Sequence, residues 1–315
     1  MSDISRVTQA SASMLMVADL ESSLSHLTQL QQEAATGKSL NQPSDNPVGT
    51  AEVLALNAQI GRFQQYSSNA QDGQSWLNTA DSALGSVVKA LNQVQTDVLS
   101  GANASGQDMT GLNALAQQVL TIKQQVLGEA ATTYTNRPIF SGTYGITPYP
   151  QGTASGVSDP TSSSYNPSVA YAYAGSTTPV TRVVAPGQTT DVSLTADKVF
   201  GTGSSSLFAL LDTISQDLTK GNTSALSGTD LSQLQTWMNT VSQAQGDVGA
   251  LGAGLASAQT NATSTVQSLQ AQVATISDAD EAQVATELDL AMTSYQAALA
   301  TTAKVIQPSL VSFLQ

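Results

Sequence analysis

The chain has 315 residues, a 40% hydrophobic fraction and a formal net charge of −13, yet only 10% of its residues are charged, against about 25% in ordinary globular chains. Ten basic residues spread along its length provide no phosphate-binding footprint, which argues against a nucleic-acid partner. No cysteine is present, which removes disulfides, thiolate chemistry and Cys-based metal sites.

Residues 1–36 read as a helix with Val17, Leu20, Leu24, Leu27, Gln31 and Ala34 on one stripe. Its first turns are rich in Ser and Thr, and an isolated helix with so little apolar surface is marginal in water. The first part is therefore expected to be mobile until a partner covers it. The start of the chain is polar, and the apolar stretch at 14–18 is too short for a membrane span and badly placed for a cleaved signal peptide. Gly37 ends this helix. After a loop, Asn46 is suited to cap the next helix and Pro47 to its first position.

That second helix carries Phe63, Tyr66, Ala70, Gly73, Leu77, Ala80, Leu84, Val87, Leu91, Val94 and Val98 at alternating three- and four-residue spacing, and runs to about Ala102. A third helix is expected over about 108–134, with Leu112, Leu115, Val119, Ile122 and Val126 as its seam. Composition shifts after Asn136. Residues 141–205 are dense in Gly, Pro, Ser, Thr and Tyr, and the runs at 169–173, 180–184 and 191–195 have the composition of strands in a small antiparallel module.

Helical pattern resumes at 205–218. A longer ladder follows: Leu231, Leu234, Met238, Val241, Gln245, Val248, Gly252, Leu255, Gln259, Ala262, Val266, Leu269, Val273 and Ile276. Gly246, Gly249, Gly252 and Gly254 fall inside it, each at a cost of about 1 kcal/mol in a helix interior. They mark either a break or the close approach of a neighbouring helix. The unbroken phase favours one continuous helix. Residues 278–281 interrupt the pattern, and a last helix carries Val284, Leu288, Ala291, Tyr295, Ala298, Thr302 and Val305. Pro308 should bend or end it, leaving Leu310, Phe313 and Leu314 on a short apolar tail.

Helices, then a β insert, then helices again bring the two chain ends side by side. The expected fold is mainly α with a small β insert: a long antiparallel helical bundle or coiled coil made from both ends of the chain, plus a central β-rich module. The expected divisions are an N-terminal arm at 1–45 pairing with a C-terminal arm at 283–315, rod halves at 46–136 and 205–282, and the β-rich module at 137–204. The two long seams read as internal core. The weaker seams of the arms read as partner-binding surface: Val17, Leu20, Leu24 and Leu27 on one arm, and Val284, Leu288, Ala291, Tyr295, Ala298, Val305, Leu310 and Phe313 on the other.

Catalytic chemistry finds little footing. His26, the single histidine, lies among leucines and reads as a packing or surface residue. Asp278, Asp280 and Glu281 lack the alternating oxygen ligands and central glycine of a calcium loop, and acids at a helix start are favoured by its dipole. No enzyme activity, cofactor or metal is expected.

Several segments resemble the bacterial flagellins and their junction proteins. Gly37-Lys-Ser-Leu-Asn-Gln-Pro-Ser-Asp-Asn-Pro47 is similar to the family's signature before its first long helix, and Asn69-Ala-Gln-Asp-Gly73 to the stretch that follows. Gly246-Asp-Val-Gly-Ala-Leu-Gly252, Ile276-Ser-Asp-Ala-Asp280 and the segments at 295–299 and 309–314 resemble the C-terminal half. Arg137-Pro-Ile-Phe-Ser-Gly-Thr143 resembles the segment of hook–filament junction members, although Pro138 stands where they usually carry an aromatic residue. The resemblance implies an adaptor joining the hook-associated junction to the filament, with flagellin itself as the rival reading. It implies the first hook-associated junction protein, flagellin and copies of itself in a ring as partners, and an export chaperone on the C-terminal arm. It also implies an extracellular location in the flagellum, reached through the type III channel without a cleaved signal, and no membrane insertion.

Overall fold

A computed structural model describes residues 2–104, 109–154 and 156–306, with backbone only for 2–10, 12–13 and 304–306. In chain order the elements are helices α1 (Ser2–Thr36), α2 (Pro47–Ala102) and α3 (Met109–Ala130), the two-residue strands β1 (Thr133–Tyr134) and β2 (Arg137–Pro138), and the single-turn helix α4 (Pro167–Ala170). Strands β3 (Thr181–Ala185) and β4 (Gln188–Asp191) follow, then short helix α5 (Ala196–Val199), a 3-10 turn (Gly203–Ser205), α6 (Leu207–Lys220), α7 (Thr223–Ala225) and a π-helical turn (Leu226–Asp230). Helices α8 (Leu231–Ser277) and α9 (Glu281–Ile306) complete the described elements. The expected class holds: mainly α, long helices from both chain ends, and a small insert with two sheets.

The chain divides into two compact units, one of Met1–Arg62 with Thr265–Gln315, the other Phe63–Ser264. Both dividing points fall inside the long helices α2 and α8. In the second unit α2 and α8 run antiparallel, tied by Gln245 Nε2 donating to Asp81 Oδ1 (2.9 Å) and Gln95 Nε2 donating to Gln235 Oε1 (3.3 Å). From Ala70 to Val98 every position of the α2 ladder is buried. On α8 the ladder alternates. Leu234, Val241, Val248, Leu255 and Ala262 are buried, and the intervening Leu231, Met238, Gln245, Gly252 and Gln259 are half-buried. Each fully buried Leu or Val there contributes about 1.5–3 kcal/mol relative to exposure.

Helix α8 is continuous through its four glycines, as the phase of the ladder required. The close-approach reading of those glycines is corrected: a Cβ added at Gly246, Gly249, Gly252 or Gly254 would meet nothing within 4 Å.

Of the three strand-like runs expected in the insert, only the one at 180–184 lies mainly in a strand. β1 and β2 form a minimal hairpin, with Thr135 and Asn136 in the left-handed region at its turn. β3 and β4 pair antiparallel, with Thr181 opposite Asp191 and an irregularity between Val183 and Ala185. The run at 169–173 is not a strand, because Pro167 opens a helical turn there and Tyr171 is buried. Beyond β4 one ladder bond persists, Val192 N–H to Val180 O (2.8 Å). Ser193 Oγ then accepts the Val180 N–H (2.7 Å), and pairing stops.

Aromatic rings organise the insert instead. Tyr149 and Phe208 pack edge to face at 4.9 Å, and Phe140 and Phe200 at 5.6 Å. Tyr149 OH donates to Gly201 O (2.6 Å), and Tyr173 OH to Ser176 O (2.9 Å). Gly142 makes the entry to this region possible. Its φ is +60°, and an added Cβ would press on the carbonyl oxygens of Ser176 and Thr178.

Candidate functional site: the terminal helices

The first unit places α1 against α9. Within α1 the Ser and Thr hydroxyls bond back one turn: Ser23 Oγ to Asp19 O (2.8 Å), Thr28 Oγ1 to Leu24 O (2.8 Å) and Thr36 Oγ1 to Gln32 O (2.9 Å), an arrangement that slightly weakens a helix and leaves α1 dependent on its packing. It stops at Gly37, whose φ of +68° forms a left-handed cap with its N–H on Glu33 O (2.8 Å).

Two linkers then stitch the helices together through the backbone. Lys38 and Asp278 form an isolated antiparallel bridge, Ser39 N–H donates to Ser277 O (2.8 Å), and Ala279 N–H donates to Gly37 O (3.0 Å). Asp45 Oδ2 accepts the N–H groups of Asn41 (3.1 Å) and Gln42 (2.7 Å), which folds the 37–46 loop on itself. Asn46 Oδ1 accepts Gly49 N–H (2.9 Å) and Pro47 opens α2, the cap read from the sequence. Gly49 leaves room for that cap, since a Cβ there would lie 2.9 Å from Asn46 Nδ2. Asp280 caps α9 through Ala282 N–H (3.0 Å) and Gln283 N–H (3.2 Å), which accounts for one acid of the 278–281 group. Among the described residues no three His, Cys, Asp or Glu side chains come together as a metal site.

The expected assembly residues fall into three groups. Leu27 and Val284 are buried within the unit, as is Leu30. Leu20, Leu288, Ala291, Tyr295 and Ala298 are half-buried. Val17 and Leu24 are exposed. The Val305 side chain, Leu310 and Phe313 lie outside the described residues.

Sequence periodicity missed a further set, because these residues are off the seam. Met14 is 74% exposed, Leu15 67%, Val48 78%, Leu54 64% and Leu290 68%, and Met292 and Leu299 are also open. Nine of the fifteen exposed large hydrophobics among the described residues belong to this unit. His26 is exposed and lines a small groove with Ser23, Glu287, Leu290, Ala291 and Ser294. No helix among the described residues is long and apolar enough to cross a membrane.

The second unit holds a polar centre that was also not anticipated. Lys123 of α3 and Asp212 of α6, both buried, form an ion pair at 2.7 Å. Lys123 Nζ also donates to Ser158 O (2.9 Å) and lies 3.2 Å from Tyr171 OH. The Tyr171 and Tyr165 hydroxyls donate to the other Asp212 oxygen. Burial pushes the Asp212 carboxyl above the usual range, and Lys123 and the two hydroxyls pull it back. Every strong donor and acceptor is taken by a neighbour. The group fastens the 158–171 loop onto α3 and α6. A signal was present: Lys123 stands four residues after Val119 and three before Val126, on the apolar stripe of its helix.

Residues 7–145 match the bacterial flagellin N-terminal helical region, and residues 231–314 the bacterial flagellin C-terminal helical region. Polar flagellin F of Vibrio parahaemolyticus is 27% identical over 138 residues, covering 44% of this chain and 36% of that protein. The flagellin of Bacillus subtilis is 26% identical over 117 residues, covering 36% of this chain and 38% of that protein. The chain thus spans little more than a third of the length of these curated relatives. Solved structures share the fold. A putative flagellar hook-associated protein from Vibrio parahaemolyticus superposes with a TM-score of 0.64 at 19% identity, covering 74% of this chain and 99% of that one. The flagellar hook associated protein-3 from Legionella pneumophila gives a TM-score of 0.60 at 15% identity, over 71% of this chain and 98% of that one. With its N-terminal and C-terminal helical regions matched in order on either side of a short insert, the chain belongs to the bacterial flagellin family.

Proposed function

We propose that this chain is a structural adaptor of the bacterial flagellum, joining the hook-associated junction to the flagellin filament through its terminal helices. The observation that carries the reading is the exposed apolar side chains of the first unit, on α1, α9 and the start of α2. Two paired helices that still present Met14, Leu15 and Leu290 to water have surface left for further helices. The shared fold with hook-associated proteins, over nearly their whole length, supports this assignment. Its partners are the first hook-associated junction protein, flagellin and further copies of the chain in a ring, with an export chaperone on the C-terminal arm before assembly. It reaches the flagellum by export, and its role is structural rather than enzymatic.

The matched sequence relatives are flagellins, so the rival reading is the filament subunit itself. A deletion strain separates the two. The adaptor reading expects complete hooks and unpolymerised flagellin in the medium. Absence of flagellin from both filament and medium would favour the rival. Removing residues 284–315 should leave a soluble, folded second unit that cannot join the filament, and normal swimming by that strain would sink the reading.

A further inference from the structure

Most of the exposed apolar surface belongs to the first unit, but the second unit has an apolar projection of its own. Tyr144 is 57% exposed, the most open large hydrophobic of that unit among the described residues, and Ile146 is 49% exposed. Neither sits on a loose end. On one side Thr143 N–H donates to Thr178 O (3.1 Å), and Ser141 Oγ donates to Tyr144 O. On the other, Pro148 is buried and its carbonyl accepts Ala174 N–H (2.8 Å). Residues 144–147 are therefore a short span anchored at both ends, and all four are exposed.

The same insert leaves a groove of 380 Å³ against α3, lined by Leu127, Gly128 and Ala131 on the helix and by Pro148, Tyr149 and Pro150 across from it. Its walls are set by packing. The Tyr149 ring is fixed edge to face on Phe208 (4.9 Å) and by its hydroxyl on Gly201 O (2.6 Å). Gly152 lets the turn after it close on α3, since a Cβ there would lie 2.8 Å from Leu127 Cδ2. Gly128 leaves open space, because a Cβ added there would meet nothing within 4 Å. A preformed apolar groove of this size suits one aromatic side chain.

Charge selects the occupant. With a net charge of −13, two copies of the chain repel, and they meet at least cost where neither presents a charge. Residues 143–147 carry none, and none lines the groove. We propose that Tyr144 of one copy seats in the 124–153 groove of a neighbouring copy, with Ile146 packed beside it, so that the insert forms a lateral contact between copies. This inference rests on the reading that copies of the chain stand side by side in the flagellum.

The chain has no cysteine, so introduced thiols report without background. Gly145→Cys and Gly128→Cys both fall at open positions and leave Tyr144 and Ile146 in place. The two full-length variants are expressed in one strain, and its assembled flagella are treated with a short bis-maleimide. No link within one chain can then form. The contact predicts dimers joining the two variants, and none from strains that express either variant alone. Adding Tyr144→Ser to the Gly145→Cys copy should cut the dimer yield about tenfold or more, with the urea unfolding transition of that copy unchanged. Flagella that assemble normally yet give no dimers would overturn the contact and leave the adaptor reading intact. Dimers undiminished by Tyr144→Ser would also overturn it, since the two sites would be near each other without the ring being seated. Finding the chain along the whole filament would instead overturn the adaptor reading, and the dimer yield there would still decide the contact.

Discussion

At the scale of single residues, the second unit depends on one charge pair. Taking Lys123 and Asp212 out of water costs several kcal/mol per ion, offset only because Ser158 O, two tyrosine hydroxyls and the partner ion meet them. Removing one partner therefore harms more than removing both. Lys123→Met should lower stability by about 3–5 kcal/mol in urea unfolding, since it strands a buried carboxylate. Lys123→Met combined with Asp212→Leu should recover most of that loss. An additive double variant would show that the pair does not act as a unit. The site was half legible in the sequence. A lysine on an apolar stripe, in a chain with ten basic residues, invites a buried partner, but nothing in linear order points to Asp212, which lies 89 residues away.

At the scale of elements, the helices were legible because packing repeats itself. The three-four spacing of α8 persists across four glycines, and the helix persists with it. Those glycines weaken a helix that nothing in the structure repays at their positions. Gly249→Ala, at an exposed site with open space, should raise stability by about 1 kcal/mol, read as a higher urea midpoint. A fall would mean that the site is less open than its geometry indicates. The insert was poorly legible for a physical reason. Apart from the β3–β4 pair, its strand-like runs satisfy their backbones with tyrosine and serine hydroxyls and a proline-started turn rather than ladders, and those bonds follow no period. The arms lie between these cases. Periodicity located the α1 and α9 stripe, of which Leu27 and Val284 are buried. The most exposed apolar residues, Met14, Leu15 and Leu290, lie off that stripe and carry no repeat that marks them.

At the scale of the whole molecule, low charge and exposed apolar side chains belong to one account. A surface destined for burial between subunits avoids charges, since an unpaired one costs several kcal/mol once water is excluded. The first unit combines backbone-stitched linkers, capped helices and an open apolar surface, which gives the arms a fixed pairing and something left to bind. The second unit carries most of the buried core, from Ala70 to Leu255, and stands on its own packing. Damage to the arm surface should therefore abolish assembly without unfolding the second unit. The most direct measurement replaces Leu15 and Leu290 together by Asp in the full chain and scores filament formation beside urea unfolding of the purified protein. The account predicts complete hooks, flagellin free in the medium, no filaments, and an unchanged unfolding transition for the second unit. Normal filaments from that variant would contradict it.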